Sequence, residues 1–79
     1  MKSKNEKDIL KRLGLQIKDL RLGKYLSQEE LAGLGNVHRT YIGMVERGEK
    51  NITILTLVKL SHALEVDLIE ILRGIKDGK

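Results

Sequence analysis

Residues 27–47 read SQEELAGLGNVHRTYIGMVER, and the punctuation of this stretch decides the fold. Ser27 and Glu30 have the S-x-x-E spacing of a capping box, in which two side chains reciprocally satisfy backbone N–H groups that a helix start leaves free. Leu26 before the cap and Leu31 five residues later add a hydrophobic staple. The helix so begun is short, because Gly35-Asn36 follows, and asparagine tolerates the left-handed backbone that ends a helix. His38 then occupies the next cap position, flanked by Val37 and Ile42, and a second helix starts at Arg39.

The same device recurs downstream. Thr53 caps with Ile52 and Leu57 about it, and Asp67 caps with Val66 and Ile71, Glu70 completing a second box. Upstream, Leu10, Leu13, Ile17 and Leu20 recur at three and four, the stripe of an amphipathic helix. Ser3 with Glu6, or Asn5, caps its start, and Gly23 punctuates its end. The spacing predicts five helices over 5–23, 28–34, 39–47, 54–64 and 68–75. Helices this short do not stand alone in water, so tertiary packing must hold them. The expectation is one compact all-α domain over 1–79.

Helices two and three, over 28–47, make a helix-turn-helix: a tight turn that sets the second helix steeply against the first. Ala32 is small where the two approach. Leu31, Val37, Ile42 and Val45 are expected to face inward. That leaves His38, Arg39, Thr40, Gly43 and Met44 outward, with Tyr41 beside them.

Composition agrees with a small soluble domain. The chain has 79 residues, 41% apolar and 33% charged, with no proline and two tyrosines as its only aromatics. That balance suits a fold rather than disorder. With no cysteine, disulfides and thiolate metal sites are excluded. No apolar run is long enough to span a bilayer and no secretory segment opens the chain, so a cytoplasmic location is expected, with no membrane partner. Residues 1–24 hold eight Lys or Arg against three acids, and 25–79 hold seven against eight. This basic skew suits nucleic acid and equally suits a solvated helix face. His38 and His62 lie far apart without clustered carboxylates, so no metal or cofactor is expected, and no nucleophile–base spacing suggests an enzyme.

Residues 13–72 resemble the phage-repressor-like, XRE-type helix-turn-helix family. The resemblance is carried by Arg21, Ser27-Gln28-Glu29-Glu30-Leu31-Ala32, Arg39-Thr40-Tyr41-Ile42, Glu46-Arg47-Gly48, Leu57, Leu60, Ala63-Leu64, Val66 and Leu72. More narrowly, Asn36 to Ile42 followed by Glu46-Arg47 and Asn51-Ile52-Thr53 is similar to controller proteins of restriction–modification systems. The resemblance implies a compact repressor-like fold that binds double-stranded DNA in the major groove at a palindromic operator. Arg39, Thr40, Tyr41, Gly43 and Met44 would meet base edges. A guanidinium pairs bidentately with guanine O6 and N7, and a threonine offers a hydroxyl and a methyl. Tyr41 alternatively closes the core. Ser27, Gln28, His38, Arg47, Lys50, Asn51 and Thr53 would meet phosphates, with plain surface the other reading of His38 and local capping the other reading of Asn51 and Thr53. Arg21 and Glu46 would form a partly buried ion pair that holds the recognition helix in place.

One such domain covers a half-site, and a useful operator demands more specificity, so a homodimer is expected. Leu57, Leu60, Leu64, Val66, Leu68 and Leu72 suffice for the core-facing stripe of residues 52–75. Ile54, Leu55, Val58 and Ile69 are surplus, either a dimer interface or partly covered by helix five. RNA polymerase is a possible further partner, with Glu29, Glu30 and Glu49 as candidate contacts. The expected function is an autoregulating, sequence-specific transcription regulator. An antitoxin that binds a toxin and represses its own promoter is the alternative.

Overall fold

The computed structural model describes residues 3–75. It contains helices α1 (Ser3–Gly23), α2 (Gln28–Gly35), α3 (Arg39–Glu46), α4 (Ile54–Leu64) and α5 (Leu68–Leu72), then a 3₁₀ turn, Arg73–Ile75. Among the described residues these are the five helices expected, and no strand occurs. The core draws on all of them. Leu13 and Ile17 of α1 meet Leu31 and Ala32 of α2, Ile42 and Val45 of α3, Leu57, Leu60 and Leu64 of α4, and Ile71 of α5. Val37 and Leu20 are half-buried at its edge.

Local chemistry explains most boundaries. At Ser27 both halves of the capping box form: the Glu30 N–H donates to Ser27 Oγ at 3.0 Å, and the Ser27 N–H donates to the Glu30 carboxylate at 2.8 Å. Asn36 ends α2 in the left-handed region, φ 56 and ψ 47. The following Val37 N–H then reaches back to the Ala32 carbonyl at 2.9 Å, which closes the short turn into α3. Thr53 Oγ1 accepts the Thr56 N–H at 3.2 Å and caps α4.

Three expected caps differ. His38 and Asp67 occupy cap positions with extended backbone, but neither side chain makes a cap bond. At Asp67 the Glu70 N–H donates instead to the Asp67 backbone carbonyl at 2.9 Å, so the donor the side chain would serve is already satisfied. Asn5 lies inside α1 and does not cap it; the cap expected at Ser3 falls outside the described side chains. The last expected helix, 68–75, tightens to 3₁₀ after Leu72. There the Gln16 amide donates to the Glu70 carbonyl at 2.8 Å and draws the end of α5 onto α1.

Candidate nucleic-acid interface

The position of α3 is set from behind by α1. A Cβ added to Gly14 would lie 2.3 Å from the Val45 carbonyl oxygen and 2.6 Å from that of Glu46. Only a glycine lets the two backbones approach so closely, which repays its poor helix propensity mid-helix. Two turns further along α1, Arg21 and Glu46 tie the same two helices by charge. Arg21 Nε donates to Glu46 Oε2 at 2.7 Å and Nη2 donates to Oε1 at 3.1 Å. Their side chains are 8% and 3% exposed. The pair is therefore fully rather than partly buried.

Burial of two charges is tolerable only if the remaining polar edges are also satisfied. Arg21 Nη1 donates to the Leu26 carbonyl at 2.7 Å, and the Gln28 amide donates to Glu46 Oε1 at 3.0 Å. No buried side-chain nitrogen or oxygen among the described residues lacks a partner. The cluster thus joins α1, the turn before α2, the first residue of α2 and the last of α3. It ties the start of α2 and the C-terminal end of α3 to α1.

On the outer side, His38, Arg39 and Thr40 are exposed at the N-terminal turn of α3, and Tyr41 and Met44 are half-buried. Tyr41 packs against the core edge, so it serves the core while keeping part of its ring outward. Gly43 corrects the expectation: it is buried, not outward. Arg47 Nη1 and the Gln28 amide stand over it, 3.2 and 3.7–3.9 Å from where a Cβ would be. Gly43 is the floor on which these two side chains lie.

The expected phosphate contacts divide into two kinds. Lys50 and Asn51 are exposed on the loop after α3, as is Thr53, whose hydroxyl also caps α4. Ser27 likewise caps while remaining exposed. Gln28 and Arg47 are already engaged. Gln28 gives one amide N–H to Glu46. Arg47 Nε and Nη2 donate to the two carboxylate oxygens of Glu49, each at 3.1 Å. That shared hydrogen bonding, reinforced by charge, raises the Arg47 pKa and lowers that of Glu49. Glu30 is held by its capping box, so of three acids proposed to face polymerase, Glu29 alone makes none of these bonds.

A second surface lies at the start of α4 and on α5. Leu55 is 74% exposed, Ile69 60% and Ile54 56%, with Val58 half-buried. Ile54, Leu55 and Ile69 stay exposed beside the packed α4–α5 pair, while Val58 is partly covered.

Two features escaped sequence reasoning. Gln28 as the third member of the ion-pair cluster, and Glu49 as the partner of Arg47, depend on folded proximity. Gly14 did leave a signal, since a glycine inside a helical stripe costs helix propensity and so suggests a packing reason.

A short helix that exposes Arg39 and Thr40 at its first turn and follows another helix across a tight turn is a helix-turn-helix. The helix-turn-helix family matches residues 17–71, and the chain belongs to it. Within that family the chain is similar to Control protein C.SmaI of Serratia marcescens: 42% identical over 72 residues, 89% of this chain and 86% of that one. It is also similar in structure to the restriction–modification controller protein C.AhdI of Aeromonas hydrophila, with a TM-score of 0.77, 39% identity, and 81% and 96% of the two chains covered. A third relative is C.Esp1396I, solved as a tetramer in complex with its natural 35 base-pair operator. Its TM-score is 0.76 at 37% identity, covering 85% of this chain and 93% of that one.

Proposed function

We propose that this chain is a sequence-specific DNA-binding transcription regulator that acts as a homodimer and controls the expression of a restriction–modification operon that includes its own gene. The observation that carries the reading is the exposed first turn of α3, Arg39 and Thr40, held rigid by the buried Arg21–Glu46–Gln28 cluster. A reading helix loses specificity if it rocks, because hydrogen bonds to base edges tolerate little displacement. Arg39 reads a guanine edge, Thr40 a base edge or a thymine methyl, and Tyr41 and Met44 flank them. Lys50, Asn51, Ser27 and His38 contact phosphates and set the register.

The exposed apolar surface of Ile54, Leu55 and Ile69, with Val58, is the dimer contact. A twofold pairing there sets two recognition helices about 34 Å apart, one turn of DNA. Dimerisation coupled to binding makes operator occupancy steep in protein concentration. The chain's own accumulation is then the signal, which suits a timing role. Glu29 is the remaining acidic candidate for a polymerase contact.

The test is selection of binding sites from random duplexes with the full chain, followed by footprinting of the DNA upstream of its own gene. Recovery of a palindromic motif that is present upstream supports the reading. Enrichment of no motif overturns it.

A further inference from the structure

Arg47 is a cationic residue beside the reading face of α3 that is already paired with an acid. Residues 40, 43, 44 and 47 share one face of a helix by their spacing, and the guanidinium lies over Gly43 beside the Gln28 amide. Its Nε and Nη2 edge, the fork that matches a phosphate bidentately, is filled by Glu49 at 3.1 Å and 3.1 Å.

The backbone turn brings the two residues together. Gly48 has a φ of +77°, and the Glu49 N–H returns to the Met44 carbonyl at 2.8 Å. The turn lies directly against α1, where a Cβ on Gly48 would stand 2.9 Å from the Lys11 Cα and backbone nitrogen, so only glycine fits there. Glu49 is therefore delivered to Arg47 by a seated turn. Glu30, in contrast, spends its carboxylate on a helix cap.

We infer that Glu49 occupies the phosphate-binding edge of Arg47 as an internal stand-in for DNA and is displaced when the chain binds a duplex, so that it holds down affinity for DNA of any sequence. This rests on the DNA-binding reading above. A phosphate must break the Arg47–Glu49 pair and leave a carboxylate beside the polyanion. Both costs are independent of base sequence. They fall on random and operator DNA alike, whereas the contacts of Arg39 and Thr40 reward the operator only. A regulator with weaker general binding is less sequestered by the bulk of a genome.

The experiment is a titration of a fluorescent 30 base-pair duplex of random sequence with the full wild-type chain, Glu49→Gln, Arg47→Ala and the double variant, from 50 to 200 mM salt. Both residues are exposed, and thermal melts check that all four chains fold. Glu49→Gln is expected to tighten binding about 1.5- to 5-fold per protomer, the factor released when an exposed ion pair no longer has to be broken. Arg47→Ala is expected to weaken binding and to flatten the slope of log affinity against log salt by about 0.9 per protomer. In the Arg47→Ala background the gain from Glu49→Gln is expected to shrink. Unchanged or weaker binding by Glu49→Gln overturns the inference, because Glu49 would then orient Arg47 for DNA. An equal gain with and without Arg47 also overturns it, because the carboxylate would act through its field alone. If neither the wild-type chain nor Glu49→Gln binds the duplex at 50 mM salt, the DNA-binding reading itself is removed, which separates that failure from this one.

Discussion

Replacing Glu46 by alanine tests the cluster on which the interface stands. Glu46 accepts two bonds from Arg21 and one from Gln28, and its side chain is 3% exposed. Removal leaves the Arg21 guanidinium, 8% exposed, with the Leu26 carbonyl as its remaining partner among these bonds, and that carbonyl carries no charge. Breaking a buried pair from one side costs about 3–5 kcal/mol, because the surviving charge is left uncompensated in a poorly solvating site. For a domain of this size each kcal/mol lowers Tm by about 4–8 °C, so a fall of at least about 12 °C is expected. The assay is thermal and urea unfolding followed by circular dichroism. All variants are compared at one protein concentration, since association stabilises the folded state by mass action. Arg21→Met with Glu46→Leu supplies the control. With both charges gone and similar volumes kept, the double variant is expected to recover most of the stability, because a buried ion pair and a well-packed apolar pair are often near parity. A loss under about 1 kcal/mol for Glu46→Ala, the range of exposed pairs, would refute the reasoning.

Arg39→Ala is expected to cost about 1–3 kcal/mol of operator affinity and to relax preference at one base pair per half-site; recovery of an unchanged motif by site selection would remove Arg39 from base reading. Ile69→Lys puts a cation into the proposed apolar contact. Analytical ultracentrifugation is expected to show a monomer of unchanged helix content whose operator binding collapses while weak salt-dependent binding persists, and a variant that still sediments as a dimer would place the interface elsewhere. Gly14→Ala and Gly33→Ala make the same chemical change in two helices with opposite expected signs. At Gly33 nothing lies within 4 Å of the new methyl, so helix propensity acts alone and stability rises by about 0.5–1 kcal/mol. At Gly14 the methyl meets the Val45 carbonyl oxygen at 2.3 Å, so α1 and α3 must separate and stability falls by about 1–3 kcal/mol; chemical denaturation that shows both variants stabilised would contradict the close approach.

Helix number, order and most boundaries were legible in the chain because capping and periodicity are local: Ser27 with Glu30 and Thr53 with its apolar flanks act within one turn. The turn at Asn36 was legible for the same reason, as was the surplus of apolar side chains at Ile54, Leu55 and Ile69, which follows from how many a small core needs. Where a cap could be replaced by a competing backbone bond, as at Asp67, local reasoning erred, since the two differ only in geometry. Tertiary structure alone decided what depends on residues distant in sequence meeting in space. It placed Gly43 beneath Arg47 and Gln28 instead of in the open. It brought Gln28 to Glu46 across 18 positions, and sank the Arg21–Glu46 pair out of reach of water. It also seated the Gly48 turn, which carries Glu49, against Lys11 of α1. A residue's partners inside a helix are set by the helical period, whereas its partners across helices are set by how closely the backbones pack, and that distance is a property of the whole fold.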